Sequence, residues 1–276
     1  FSGRSLISNC VVEGTLTLDA SATVGKVGGI VGEVETDATA EPTMVLNMES
    51  LTDVSLYPTT KVIHSFEFEQ EYATGELSRY ATGYRFEMKH AEKSFLLVKE
   101  DGSNIVESNL GCYEEADPSL IRFGIWIMFG IIIAPLGAIA IHSSVIVKDD
   151  MALLCLGESG TGKSTHTRLW RENIEGARLL NDDSPIIRMI DGKSIVYGSP
   201  WSGKGAIYRA ERRPIAGFLR LSQAPENKIK RLGRIGAFGA LLPSTLPTLQ
   251  KEERTLDLIC GALSEMIISV PAYALA

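Results

Sequence analysis

Cysteine is scarce in this chain: of 276 residues four are Cys, and Cys10, Cys112, Cys155 and Cys260 lie far apart. They form no C-x-x-C pair and no zinc-ligand spacing, which sets aside disulfide scaffolds, zinc modules and dithiol redox sites and leaves free thiols in a reducing cytoplasm. A basic tract is also missing. The formal charge is −7 and the sequence pI about 5.3, and phosphate-backbone binding needs clustered cations, so no nucleic-acid partner is expected. The chain opens on Phe1 rather than Met, as a trimmed chain does, and its first residues lack the basic-then-apolar order of a secretory signal. A cytoplasmic location is the expectation. There is no internal repeat.

What charge there is lies unevenly. Residues 1–118 carry 8 Lys and Arg against 20 Asp and Glu, a net −12, whereas residues 206–276 carry 10 against 6, a net +4. Any anion site in so acidic a chain has to be local. With 45% hydrophobic and 22% charged residues the composition is that of a globular protein, long enough for one large or two modest domains. One stretch, Phe123 to Ile141, holds nineteen residues without a charge, close to the length that crosses a bilayer. Pro135-Leu-Gly137 interrupts it, which favours a buried helix over Pro118 to Ile132 followed by a buried strand from Ala138, so no membrane partner is expected.

Period-two alternation dominates residues 1–117. Gly14 to Leu18, Lys61 to Phe68 and Gly83 to Met88 read as strands, and Ser94 to Lys99 and Ser103 to Glu107 flank Glu100-Asp-Gly102 as a hairpin. Gly25 to Gly32 is glycine-rich but lacks a lysine and serine in the right places to hold phosphate, and reads as a connection. His64 and His90 read as ordinary strand residues. Near Cys112 to Pro118 the pattern turns helical, and a domain boundary is placed there. The expectation is a smaller β-rich region, 1–117, and an α/β domain with a mixed sheet, 118–276. In that second part Glu226 to Leu242 and Lys251 to Ile268 read as helices, Gly217 to Leu221 as a strand, and Asp191-Gly192 as a hairpin turn.

The chemistry concentrates in Gly157-Glu158-Ser159-Gly160-Thr161-Gly162-Lys163-Ser164. An apolar strand, Met151 to Leu156, runs in, and a helical stretch, Thr165 to Arg171, runs out. Glycines at both ends and at Gly160 let consecutive backbone N–H groups curl round phosphates at a helix N-terminus. Lys163 is positioned to reach the outer phosphates of a nucleoside triphosphate, and the Ser164 hydroxyl to ligate Mg²⁺. Arg178 to Asp183 reads as a short strand delivering two carboxylates at its C-terminal end, where α/β proteins place ligand-handling groups. One of Asp182 and Asp183 is a metal ligand and the other a base for an acceptor hydroxyl; which is which stays open.

His142 enters through register. A two-residue hairpin at Asp149-Asp150 pairs positions summing to 299, which sets His142 opposite Gly157 at the mouth of the loop. There an imidazole can bond a phosphate or move a proton near neutral pH. Further on, Gly198 to Gly205 is a candidate substrate loop, with Trp201 as a stacking surface and Lys204 as a cation. Arg168, one turn into the helix after the loop, is a third substrate candidate. Trp170 reads as core, and Lys228 to Arg231 as the solvated face of its helix.

The His142 to Gly157 interval, the eight-residue loop and the Leu-x-Asp-Asp segment ending at Asp183 together resemble the catalytic domain of HPr kinase/phosphorylase, which shares a fold with ATP-dependent phosphoenolpyruvate carboxykinase. Asp182 follows Lys163 by nineteen residues, a spacing that suits this group better than the large classes of phosphate-loop NTPase. Ser164 to Trp170, Asn181 to Asp183 and Gly198 to Lys204 look like a bacterial branch of HPr-kinase-like proteins. The resemblance covers 118–276. It implies ATP and Mg²⁺ as cofactors, with Gly157 to Thr165 binding nucleotide, Lys163 and Ser164 taking phosphate and metal, Asp182 or Asp183 as base and His142 assisting. It further implies γ-phosphoryl transfer to a hydroxyl on a protein serine, a peptide or a small metabolite, and assembly into a homo-oligomer. The chain has no Arg-Gly-Leu-Gly segment like that of HPr kinase. Nor does it show the carboxykinase's upstream Lys and His or its substrate arginines, which favours phosphoryl transfer over a carboxykinase-like lyase. A nucleotide-binding regulatory protein is the reading from another class.

Overall fold

Alternating apolar and polar residues build the first sheet. The structure, a computed structural model, describes residues 4–7, 43–48, 50–51, 53–69, 72–90, 93–110, 118–203 and 209–276. The expected strand Gly14 to Leu18, the Gly25 to Gly32 segment, Cys10, Cys112 and Lys204 lie outside the described residues. Strands β1 (Arg4–Ile7), β2 (Met44–Asn47), β3 (Lys61–Phe68), β4 (Ala73–Tyr80), β5 (Gly83–His90), β6 (Lys93–Glu100) and β7 (Ile105–Ser108) form a seven-stranded sheet in the order β1-β2-β7-β6-β5-β4-β3. Its pairs are antiparallel except β2 with β7. His64 sits in β3 against the Phe66 ring, 4.2 Å between centroids.

The uncharged run becomes α1 (Pro118–Ile133). Phe123 from this helix meets Phe66, Phe68 and Phe86 of the sheet at 5.2, 5.2 and 5.9 Å between centroids, edge-on and tilted approaches that aromatic rings favour. A Cβ on Gly124 would stand 2.9 Å from Leu97 Cδ1 and 3.0 Å from Met88 Cε, so a larger residue there would have to push those side-chain ends aside. By length and composition Ser119–Leu136 is apolar enough to cross a membrane, and 67% of it is buried within the protein. Packing against the sheet gives its hydrophobicity a use. The contacts divide the chain into two units after Ile132, so α1 belongs with the first sheet rather than with the strands C-terminal to it.

The second unit, Ile133–Ala276, is built on a nine-stranded mixed sheet. Its elements in chain order are β8 (Ala138–Ala140), β9 (Ser143–Lys148), β10 (Met151–Leu156), α2 (Lys163–Asn173), β11 (Arg178–Asp183), β12 (Ile186–Ile190), β13 (Lys193–Tyr197), β14 (Arg212–Leu221), β15 (Ile229–Arg231), α3 (Arg234–Leu241), α4 (Glu253–Ser269) and β16 (Ala272–Leu275). The central order is β11-β9-β10-β14, with β10 and β14 parallel. β14 continues parallel into β16, and β16 pairs antiparallel with β15. Mixed α/β architecture with two mixed sheets and few helices is therefore what the chain adopts.

Two sequence expectations need correction here. Glu226 to Leu242 is not one helix: Ile229–Arg231 is a strand and only Arg234–Leu241 is helical, with Gly233 extended before it. The apolar spacing that suggested a helix does not mark a buried face, since Ile229 and Ile235 are 64% and 90% exposed. The run Lys228 to Arg231 is accordingly an exposed strand and its approach, not a helix face.

Candidate functional site

The β9–β10 hairpin turns on Asp149 and Asp150, both at positive φ (47° and 60°), the left-handed geometry of a tight two-residue hairpin. From there the pairs run Met151 with Lys148 to Leu156 with Ser143. His142 precedes Ser143, whose partner Leu156 is the last residue before the loop. Gly157 (φ 152°), Gly160 (φ 82°) and Gly162 (φ 97°) turn the chain between β10 and α2. At Gly157 a Cβ would come 2.4 Å from Thr161 Oγ1, an overlap no other residue escapes. Thr161 Oγ1 in turn donates to Glu158 O at 2.8 Å.

Lys163 is the first residue of α2 and is largely buried. Its Nζ donates to the carbonyls of Gly157 (2.7 Å) and Glu158 (3.0 Å), so the ammonium lies inside the curve of the loop. Burial holds its pKa below the ordinary lysine value, while Asp183 and Asp182 act in the opposite direction and Arg220 reinforces the depression. Ser164, Glu158, Ser159, Gly160 and Thr165 are exposed.

The two carboxylates arrive on β11 and have different partners. Asp182 accepts from the Ser144 hydroxyl through Oδ1, and its Oδ2 lies 3.5 Å from Ser164 Oγ. Asp183 Oδ1 is 2.8 Å from His142 Nδ1. Its backbone is at φ 138°, a conformation side chains rarely adopt and one that gathers at functional sites. The surrounding chain enforces it: Asp183 bridges Ser202, Ser184 N donates to Trp201 O at 3.1 Å, and Gly203 N donates to Asp182 O. Buried Ser199 and Asn181 hold this turn, Ser199 Oγ donating to Ser184 O (2.5 Å) and Asn181 Nδ2 to Ser199 O (2.8 Å).

Loop, His142, Asp182 and Asp183 thus come together. The substrate candidates fare differently. Trp201 is 7% exposed and serves the turn through its backbone, which leaves its ring little free face for stacking. Arg168 is exposed and pairs with Glu172, one turn further from the loop, at 3.2 Å. Lys204 is not among the described residues. Trp170 is half-buried and donates from Nε1 to His166 Nε2 at 3.2 Å.

Sequence reading missed the opposite flank. Arg220, paired with Leu156 across β14 and β10, reaches Ser244 Oγ at 3.2 Å and Glu158 Oε1 at 3.6 Å. Gln223 Nε2 donates to Gly160 O at 3.2 Å. The signal available was the apolar strand Gly217 to Leu221 interrupted by one arginine.

No cluster of three or more His, Cys, Asp or Glu placed to hold a metal occurs among the described residues. Mg²⁺ needs none, because it keeps several waters and takes one or two protein oxygens beside substrate phosphates. The Ser164 hydroxyl and Asp182 carboxylate, two hard oxygen donors side by side, fit that demand.

No protein-family model matches the chain, and no curated protein matches it. Among solved structures, the Hpr(Ser) kinase/phosphatase from Coxiella burnetii aligns at 16% identity with a TM-score of 0.25, over 34% of this chain and 70% of that one. That is a distant likeness of fold and carries no argument about activity.

Proposed function

We propose that the protein is an ATP-dependent phosphotransferase that moves the γ-phosphoryl group to a hydroxyl of a protein serine, a peptide or a small metabolite. The observation that carries this reading is the pairing of Ser164 with Asp182 and of His142 with Asp183 around one glycine loop. A loop alone binds; a transferase also needs a metal ligand and a group to orient the acceptor.

In this reading backbone N–H groups of Gly157 to Ser164 and the Lys163 ammonium hold the phosphates and balance charge as it spreads to the transferred group. Ser164 and Asp182 hold Mg²⁺, which supplies electrostatic neutralisation of the phosphate oxygens. Asp183, the carboxylate not engaged with Ser164, takes the proton from the acceptor hydroxyl. His142 keeps that carboxylate oriented through Nδ1 and shares the proton. The strained backbone of Asp183 fixes where its carboxylate points before any substrate arrives. The acceptor approaches past the turn after Asp183, to which Trp201 contributes its backbone rather than its ring; Lys204, outside the described residues, and exposed Arg168 are further candidates for contacting it. The nucleotide-handling part of the expected 118–276 domain lies in the second unit, Ile133–Ala276, and a cytoplasmic homo-oligomer is the proposed setting.

The test is incubation with Mg²⁺ and γ-labelled ATP, with and without cell extract, beside a Lys163→Ala control. Label on a protein or metabolite, lost in the control, supports the transferase. Intact bound ATP under every condition replaces it with a nucleotide-binding regulator, and carbon dioxide release from oxaloacetate would replace it with a carboxykinase-like lyase.

A further inference from the structure

The flank of the loop formed by β14 carries a cation that the phosphotransfer reading leaves unused. Arg220 stands level with Leu156, the last residue before the loop. Its side chain is 25% exposed, and the carboxylate nearest it, Glu158 Oε1 at 3.6 Å, belongs to a side chain 85% exposed. A guanidinium cannot shed its charge, and an ion pair with so exposed a carboxylate is weak. The direction of the group, by contrast, is well fixed. Nη1 donates to the hydroxyl of Ser244, which is buried. The Ser244 carbonyl accepts from His142 N at 2.6 Å. One buried serine therefore ties the arginine on one side of the loop to the histidine on the other. Gln223, on the same run as Arg220, fastens the loop at Gly160 O.

A cation with fixed direction and a loosely held counterion is arranged to change partners. The long contact to an exposed Glu158 is weak, whereas a phosphate chain carries more charge and more oxygens than one carboxylate and, held by the loop, presents them to the guanidinium without ordering a mobile side chain. Lys163 and Arg220 repel each other across the loop, and an anion between them removes that repulsion.

We infer that Arg220 is a further phosphate-binding residue, which releases Glu158 and engages the phosphates of the nucleoside triphosphate from the side opposite His142 and Asp183. This rests on the reading of the loop as a nucleotide site. Glu158 then acts as a competitor that occupies the guanidinium until phosphate displaces it. Ser244 is a positioning residue that aims it.

The experiment is calorimetric titration of the full chain with Mg·ATP for wild type, Arg220→Ala, Arg220→Lys, Glu158→Gln and Lys163→Ala, each shown folded by its melting curve. Loss of a hydrogen bond to a charged group predicts binding weaker by about tenfold or more in Arg220→Ala, with partial recovery in Arg220→Lys. Glu158→Gln tightens binding, because the competitor is gone. Wild-type affinity in folded Arg220→Ala overturns the inference, and so does Glu158→Gln weakening binding like Arg220→Ala, which would make the ion pair structural. If wild type binds and Lys163→Ala does not, while Arg220→Ala is unchanged, the inference alone fails. If wild type does not bind, the nucleotide reading falls with it.

Discussion

The two units bury different chemistry. In the first, Phe86, Leu97, Met88 and the α1 residues Ile127, Met128 and Phe129 are almost wholly excluded from solvent, and buried polar side chains among the described residues are confined to Ser78, Lys99 and Ser108. In the second, the buried polar side chains are more numerous, and Ser144, Lys163, Asn181, Ser184, Ser199 and Ser244 among them lie on segments that meet at the loop. An apolar core is held by area and shape and tolerates no specific instruction beyond volume. A buried polar cluster holds only if its partners are met, and in return it fixes directions. The difference marks which unit was built to position groups.

That contrast is breakable. The largest expected effect is on turnover. Asp183→Asn should slow phosphoryl transfer by about 10²- to 10⁴-fold while nucleotide affinity and melting temperature stay near wild type, as labelled-ATP assays and calorimetry would record. A melt that falls with the rate would mean Asp183 is structural like its neighbours. In the first unit, Phe86→Ala removes a ring that touches Phe66 and Phe123 and should cost about 3–5 kcal/mol in denaturant unfolding. Nucleotide affinity should hold, so a parallel loss of binding would erase the distinction between the units.

The next effect is smaller. Ser199→Ala deprives Ser184 O of a donor and Trp201 N of an acceptor, and should cost about 1–3 kcal/mol together with a drop in turnover, because Asp183 loses its support. Stability loss with full activity would show that the turn does not need to be rigid.

The smallest effect concerns pH. Burial pushes the His166 imidazole below its ordinary 6.5, and its Nε2 must stay unprotonated to accept from Trp170 Nε1. Between the depressed folded value and 6.5 the unfolded chain binds the extra proton, so stability is lost as pH falls through that window and regained above it. Melts from about pH 7 down to about pH 5 should fall more steeply in wild type than in His166→Gln.

The hairpin at Asp149-Asp150 was legible because its pairing is local: two adjacent strands and two turn residues fix the register without reference to the rest of the chain. The same locality made Asp191-Gly192, α1 and the ends of β11 readable. β15 and β16 were not. Their hydrogen bonds join Ile229 to Leu275 and Arg231 to Tyr273, a pairing that no window of neighbouring residues contains, so helical spacing won by default at β15, and β16 went unread. β4, Ala73-Thr-Gly-Glu-Leu-Ser-Arg-Tyr80, was hidden by its small residues, which β3 and β5 cover from both sides. At the site, the loop and carboxylates were legible from spacing. Ser144, Arg220 and Ser244 were not, because each matters only through a partner that folding brings to it.

The β9–β10 hairpin has a consequence for how such a chain can vary over evolutionary time. The reach from the turn to His142 and from the turn to Gly157 is a matching count of strand residues, so the hairpin works as a ruler with the turn at its zero. Letters on the ruler can be exchanged freely where they keep their side of the sheet. Its graduations cannot: gaining or losing a single residue within either strand shifts one arm and moves the imidazole off its mark. Natural variation should therefore show substitutions in abundance and unbalanced insertions or deletions almost nowhere between residues 142 and 157.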